Sequence, residues 1–167
     1  MSLPIADTPH DEVQYTEFDD VPIASIRFNG VTIDKLVELF DPAFGALGAA
    51  IGAGAFVPTG PALAVYRGDP MSSFDLEVAF PVAEALAGET EAAGQTIRPS
   101  VISGGQCAVR SHVGSFDGLG DAWGTIVTAV QSSGKSLGEQ WLEVYVTQPT
   151  PDTDPATLRT ELIALLG

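Results

Sequence analysis

Basic residues are what this chain has least of. Seven lysines and arginines face 22 aspartates and glutamates, for a formal net charge of -15. The cations are scattered singly, so phosphate contacts have no clustered patch and direct nucleic-acid binding is not expected. The acidity suits a solvated surface, that of a salt-adapted or high-GC host included. It equally suits a field that draws cationic ligands toward a cleft. Cysteine occurs once, as Cys107. That excludes an internal disulfide and fits a reducing compartment without requiring one. With two histidines, His10 and His112, no metal-ligand spacing forms, and a lone histidine is thin support for a haem ligand. Neither metal nor cofactor is expected. Long apolar runs are missing too: the stretch 43–57 is glycine-rich and too short to span a bilayer. The N-terminus has no charged n-region and no apolar run, so it does not read as a signal peptide. A cytoplasmic location without membrane contact is the expectation.

What is present is a globular composition and a cadence that repeats. The chain has 167 residues and 45% hydrophobic content, enough for one domain with its own core. Residues 1–12 are polar with two prolines and are expected to form a flexible tail. Residues 13–167 form the domain, with repeat one at about 13–86 and repeat two at about 101–167. Ile23-Ala24-Ser25-Ile26 answers Cys107-Ala108-Val109-Arg110. A helix ending at Gly54 answers one ending at Gly134. Ala64-Val65-Tyr66 answers Glu143-Val144-Tyr145, and Leu76–Ala79 answers Thr160–Ile163. The offset is roughly eighty residues throughout, and a unit too small to bury its own face must pack against its copy.

Each copy reads as strand, helix, hairpin. The alternation at 21–29 predicts a strand, with a weaker one at 13–18. Thr32 caps a short helical turn with Ile33, Leu36, Val37 and Phe40; Asp41-Pro42 then restarts the helix, Asp41 as N-cap and Pro42 at its first position. Residues 61–66 and 74–80 read as a hairpin through Gly68-Asp69-Pro70. The polar stretch 87–100 reads as the connection between copies. Residues 106–112 open the second copy as a strand. Residues 118–133 form a helix with Leu119, Trp123, Ile126, Val127 and Val130 on one stripe. Strands at 140–147, ended by Gln148-Pro149-Thr150-Pro151, and at 158–166 complete it. The expected class is α+β: two pseudo-symmetric β-α-β-β repeats forming an antiparallel sheet, with helices on one face and a central ligand cleft.

Trp141, Glu143 and Tyr145 alternate and so share one strand face, while Leu142, Val144 and Val146 share the other. A carboxylate between two aromatics on a covered face is costly unless it is partnered. Either Arg110, Arg67 or backbone donors tie it up, or it serves as a pocket acid for a cationic or hydrogen-bonding ligand between aromatic walls. Cys107 reads as a core thiol. It lies five residues from His112, so the two point to opposite strand faces and do not make a nucleophile pair. Ser103-Gly104-Gly105 has no lysine and no following helix, so it is not a phosphate loop.

Gly104–Ala108, Arg110-Ser111-His112-Val113-Gly114-Ser115-Phe116, Ala122-Trp123 and Glu143–Pro149 resemble the gyrase-inhibitor-like effector-binding domain. Gly60-Pro61-Ala62 through Tyr66 do so in the first half. The same domain is the ligand-sensing half of certain AraC-type and MerR-type multidrug regulators. The likeness covers about residues 14–166. It implies two β-α-β-β units around a cleft for bulky, often cationic, aromatic compounds, with Glu143 as the pocket acid. The regulators place a helix-turn-helix domain ahead of this module, whereas about a dozen residues precede the first strand here. The expectation is therefore the stand-alone branch, whose relatives include hydrolases of cyclopropane-bearing natural products, sequestering binders and gyrase inhibitors.

On these grounds Glu143, Trp141, Tyr145, Trp123 and Tyr66 are expected to bind ligand, with Phe80 and Phe116 as lesser contributors. The leading function is small-molecule binding for effector sensing or sequestration. The hydrolase alternative uses Glu143 as general base or water-orienting group, with Tyr145 or Tyr66 as acid. The third alternative is inhibition of a DNA-handling enzyme such as gyrase through the acidic surface. No protein partner is identified.

Overall fold

The computed structural model describes residues 3–5, 7–68, 72–147 and 152–167, without the side chain of Val37. In chain order its elements are β1 (Gln14–Phe18), β2 (Val21–Val31), α1 (Leu36–Gly52), β3 (Leu63–Gly68), β4 (Phe74–Pro81), β5 (Thr90–Ala92), β6 (Gln95–Ile102), β7 (Gly105–Val113), α2 (Leu119–Ser132), β8 (Leu137–Tyr145) and β9 (Arg159–Leu166). Among the described residues these nine strands form one sheet in the order β1-β7-β9-β8-β3-β4-β2-β6-β5. Every pairing is antiparallel. The protein is thus α+β.

Both helices lie on one face. Apolar residues at helical spacing give each a buried stripe. Ala43, Ala46, Leu47 and Ala50 of α1 pack on Ala24, Ile26, Ala64, Leu76 and Val78. Ala122, Ile126 and Val130 of α2 pack on Ala108, Leu162 and Ala164. The opposite face carries its own core, including Ile23, Leu63, Val65, Ala79, Cys107, Val109, Leu142, Val144 and Ile163. That core is covered because the sheet curls. β1 and β2 are separated by two residues yet pair with β7 and β4 respectively, on distant parts of the strand order. β6 and β7 are linked just as tightly. Gly104 sits at the crossing. A Cβ there would lie 2.3 Å from the Phe18 carbonyl oxygen and 2.5 Å from the Asp19 carbonyl carbon, so no other residue fits without backbone movement. Leu3 and Ile5 pack against the same core, and His10 exchanges hydrogen bonds with Ser111.

Two expectations need correction. Helix α1 is continuous from Leu36, with Pro42 inside it and Lys35 as N-cap, so Asp41 caps nothing. The stretch taken as a connection, 87–100, contains the β5–β6 hairpin, with β6 paired to β2. Pro99 hid this strand. It pairs with Ala24 on one side, while β5, paired only with Gln95–Ile97, has ended before it, so its missing N–H faces no partner strand. Asp69, Pro70 and Gln148–Pro151, read as turn residues, lie outside the described residues.

Candidate functional site

β3 and β8 pair in the middle of the sheet, with Ala64 opposite Glu143 and Tyr66 opposite Trp141. This register places Glu143 on the helix face beside a residue too small to cover it. Glu143 is 7% exposed, and three side chains donate to its carboxylate. Tyr66 and Tyr145 hydroxyls reach Oε1 at 2.9 Å each. The Trp123 indole N–H reaches Oε2 at 2.8 Å. Trp123 arrives from α2, and its ring meets Trp141 edge to face at 5.1 Å. Burial, and then the negative charge of Glu143, pushes both tyrosine hydroxyls well above their ordinary value of 10. Both therefore hold their protons and act as donors.

None of these donors is charged. Arg67 lies on the opposite face, where it pairs with Glu77. Arg110 donates to the Ala122 carbonyl at 3.5 Å. The described residues give Glu143 no salt bridge. The contrast with the two other buried glutamates is direct. Glu77 has Arg67 and the Ser25 hydroxyl at 2.6 Å. Glu161 has Arg159 Nε at 2.7 Å and the Ser111 hydroxyl at 2.6 Å. Both sit on the curled face and are neutralised, whereas Glu143, on the helix face, is not.

Aromatic rings surround the charge. Phe40, Phe44 and Phe116 each present an edge-on contact to Tyr145, at 6.3, 5.9 and 5.9 Å. Tyr66 meets Phe74 at 5.3 Å. Of the residues expected from the sequence, Glu143, Tyr145, Tyr66, Trp123 and Trp141 are brought together, and Phe116 stands at their edge, 42% exposed. Phe80 stands apart, its ring against Phe56 at 6.5 Å. Phe40 and Phe44 were missed as site residues. They lie four apart on α1 and stack at 5.9 Å; the signal was their helical spacing, hidden by the break expected at Pro42. Cys107 is buried in the curled-face core, which raises its thiol to about 11, and His112 faces the other way. Among the described residues no group of three or more His, Cys, Asp or Glu is placed to hold a metal ion. No described helix is long and apolar enough to cross a membrane.

The chain is similar to several solved structures. The EcmrR C-terminal domain shares 20% identity at a TM-score of 0.73, over 93% of this chain and 97% of that one. The EcmrR–DNA complex gives 19% and 0.74 over 93% of this chain, which spans only 57% of the EcmrR chain there. SAV2435 bound to tetraphenylphosphonium gives 9% and 0.68, over 93% and 94%. A hydrolase from Listeria innocua gives 12% and 0.60, over 96% and 94%. At these identities the likeness is one of fold. No curated protein sequence matches the chain. The family model of the GyrI-like small molecule binding domain matches residues 11–166, and the chain therefore belongs to the GyrI-like family.

Proposed function

We propose that this protein binds bulky aromatic cations at Glu143, for effector sensing or sequestration. One observation carries the reading: Glu143 is buried, held by three neutral donors and free of any ionic partner among the described residues. A buried charge of this kind is costly. A ligand cation offsets that cost, and surrounding rings add cation–π attraction where water is excluded. Because three hydrogen bonds already occupy the carboxylate, a delocalised or quaternary cation suits it better than a cation needing several acceptors. The same three donors, two of them tyrosines that keep their protons, favour holding charge over moving a proton. SAV2435, of similar fold, is bound to tetraphenylphosphonium.

The two β-α-β-β units are, in this reading, copies that meet at the site. Leu76 and Thr160 each precede a buried glutamate, Glu77 or Glu161, and each pairs with a site tyrosine, Tyr66 or Tyr145. The copies differ where they face each other, Ala64 against Glu143.

Titration with tetraphenylphosphonium, followed by fluorescence of Trp123 and Trp141, tests the function. The expected affinity is micromolar, on the order of −8 kcal/mol. In Glu143→Gln the amide oxygen still accepts from Trp123, so the shape survives and the charge does not. This variant should weaken tetraphenylphosphonium about tenfold or more, and neutral triphenylphosphine oxide by little. Equal losses for both ligands would remove Glu143 from this role.

A further inference from the structure

Of the rings on Tyr145, Phe116 has the weakest reason to be where it is. It is 42% exposed and sits on a three-residue 3-10 turn, Phe116–Gly118. No described side chain caps that turn. Its placement leans on one residue of the adjoining strand. His112 Nε2 lies 2.8 Å from the Ser115 carbonyl oxygen. A carbonyl only accepts, so Nε2 carries the proton, in the neutral ring and in the imidazolium alike. The turn also folds directly over the imidazole. A Cβ on Gly118 would stand 2.7 Å from His112 Cε1. Gly118 has φ −85, so glycine is needed there for space and not for backbone conformation. At the other end, the Gly114 N–H donates to the Leu158 carbonyl at 2.8 Å, and φ +137 turns the chain off the sheet. The turn is therefore anchored at Gly114, tied at Ser115 and seated at Gly118, and Phe116 between them meets Tyr145 edge-on at 5.9 Å.

We infer that His112 is a positioning residue of the ligand site. Its bond to Ser115 and its contact with Gly118 hold the 115–118 turn as a latch, and the latch fixes Phe116 as the outer wall beside Tyr145. This inference rests on the binding reading above. His112 acts through Phe116, so its loss frees the wall without touching Glu143 or its three donors. Ligand leaves faster, and the size limit on ligands relaxes.

The experiment has a ligand-free arm and a ligand arm, in the full chain. In the first, NMR follows the Phe116 ring resonances, which Tyr145 shifts by its ring current, in the parent protein, His112→Leu, His112→Gln and Gly118→Ala. The shift should collapse in His112→Leu and Gly118→Ala. Glutamine can still donate an N–H, so His112→Gln should retain most of it. In the second arm, stopped-flow displacement of tetraphenylphosphonium should show an off-rate about tenfold faster in His112→Leu, the scale of one ordinary hydrogen bond. On a Phe116→Ala background the same change should add nothing, because the two act in series. A Phe116 shift and off-rate unchanged in His112→Leu would overturn the inference, as would effects that multiply in the double variant. Should His112→Leu fail to fold, Gly118→Ala carries both arms. If the parent protein does not bind tetraphenylphosphonium, the binding reading fails, while the ring shift still decides the latch.

Discussion

Glu143 has two oxygens and three neutral donors, and the division is uneven. Oε1 receives both tyrosines, whereas Oε2 receives only the Trp123 indole among the described side chains. Oε2 therefore has the least support. Trp123→Phe keeps the ring contact with Trp141 and deletes one N–H. A buried charged acceptor that loses its donor costs about 1–3 kcal/mol, so urea unfolding should shift by that amount. Combined with Glu143→Leu the indole deletion should cost far less, since no acceptor remains. An equal cost in both backgrounds would mean that the indole N–H supports something other than the carboxylate. The acid itself was legible in the sequence because strand alternation puts Trp141, Glu143 and Tyr145 on one face. Its donors were only partly so. Tyr66 and Trp123 reach it across 77 and 20 residues of chain, a closure that spacing alone does not encode. The sequence also left open whether Arg110 or Arg67 neutralises Glu143. The answer depends on which sheet face each occupies and on how α2 lies over β7.

At the level of elements, the strands of alternating pattern and the helix at 119–132 were readable, because periodicity is a local property. The elements that went astray were those where proline spoke against the tertiary context. Pro99 sits in β6 where no strand covers its missing N–H, and Pro42 sits inside α1. A proline at this depth removes one hydrogen bond to the preceding turn. The helix survives because Ala43, Ala46, Leu47 and Ala50 are buried on the sheet, and packing outweighs propensity. Pro42 also falls between Phe40 and Phe44, the two rings that α1 delivers to Tyr145. Restoring the backbone bond with Pro42→Ala should raise stability by about 1–3 kcal/mol in urea unfolding. A neutral or destabilising result would show that Pro42 itself, and not only the buried stripe, sets where α1 places the two rings.

Over the whole molecule, the sheet separates two kinds of buried acid. The curled face holds Glu77 and Glu161 with their arginines, and the helix face holds Glu143 among aromatic rings. Taking Glu143's charge out of water also shapes how the fold answers to pH, through the tyrosines that surround it. Burial and the Glu143 charge hold Tyr66 and Tyr145 protonated well above the ordinary value of 10. Burial raises Cys107 from 9.0 to about 11, against a smaller lowering by a backbone hydrogen bond at Thr16. In the unfolded chain all three titrate normally, so at alkaline pH the unfolded state binds fewer protons than the native one. Stability must then fall as pH rises, by up to about 1.4 kcal/mol per pH unit for each group. The contribution is intact below about pH 9, is lost first through Cys107 as pH climbs toward about 11, and is lost further through the tyrosines above about pH 10. General repulsion in an acidic chain acts in the same direction, and variants separate the two effects. Urea midpoints measured from about pH 8 to about pH 11 should decline, with a shallower slope in Tyr66→Phe at the upper end and in Cys107→Ala at the lower. Parallel curves for the parent and both variants would assign the decline to net charge alone. In that case the tyrosines around Glu143 would have to be far more solvated than their place beneath the two helices implies.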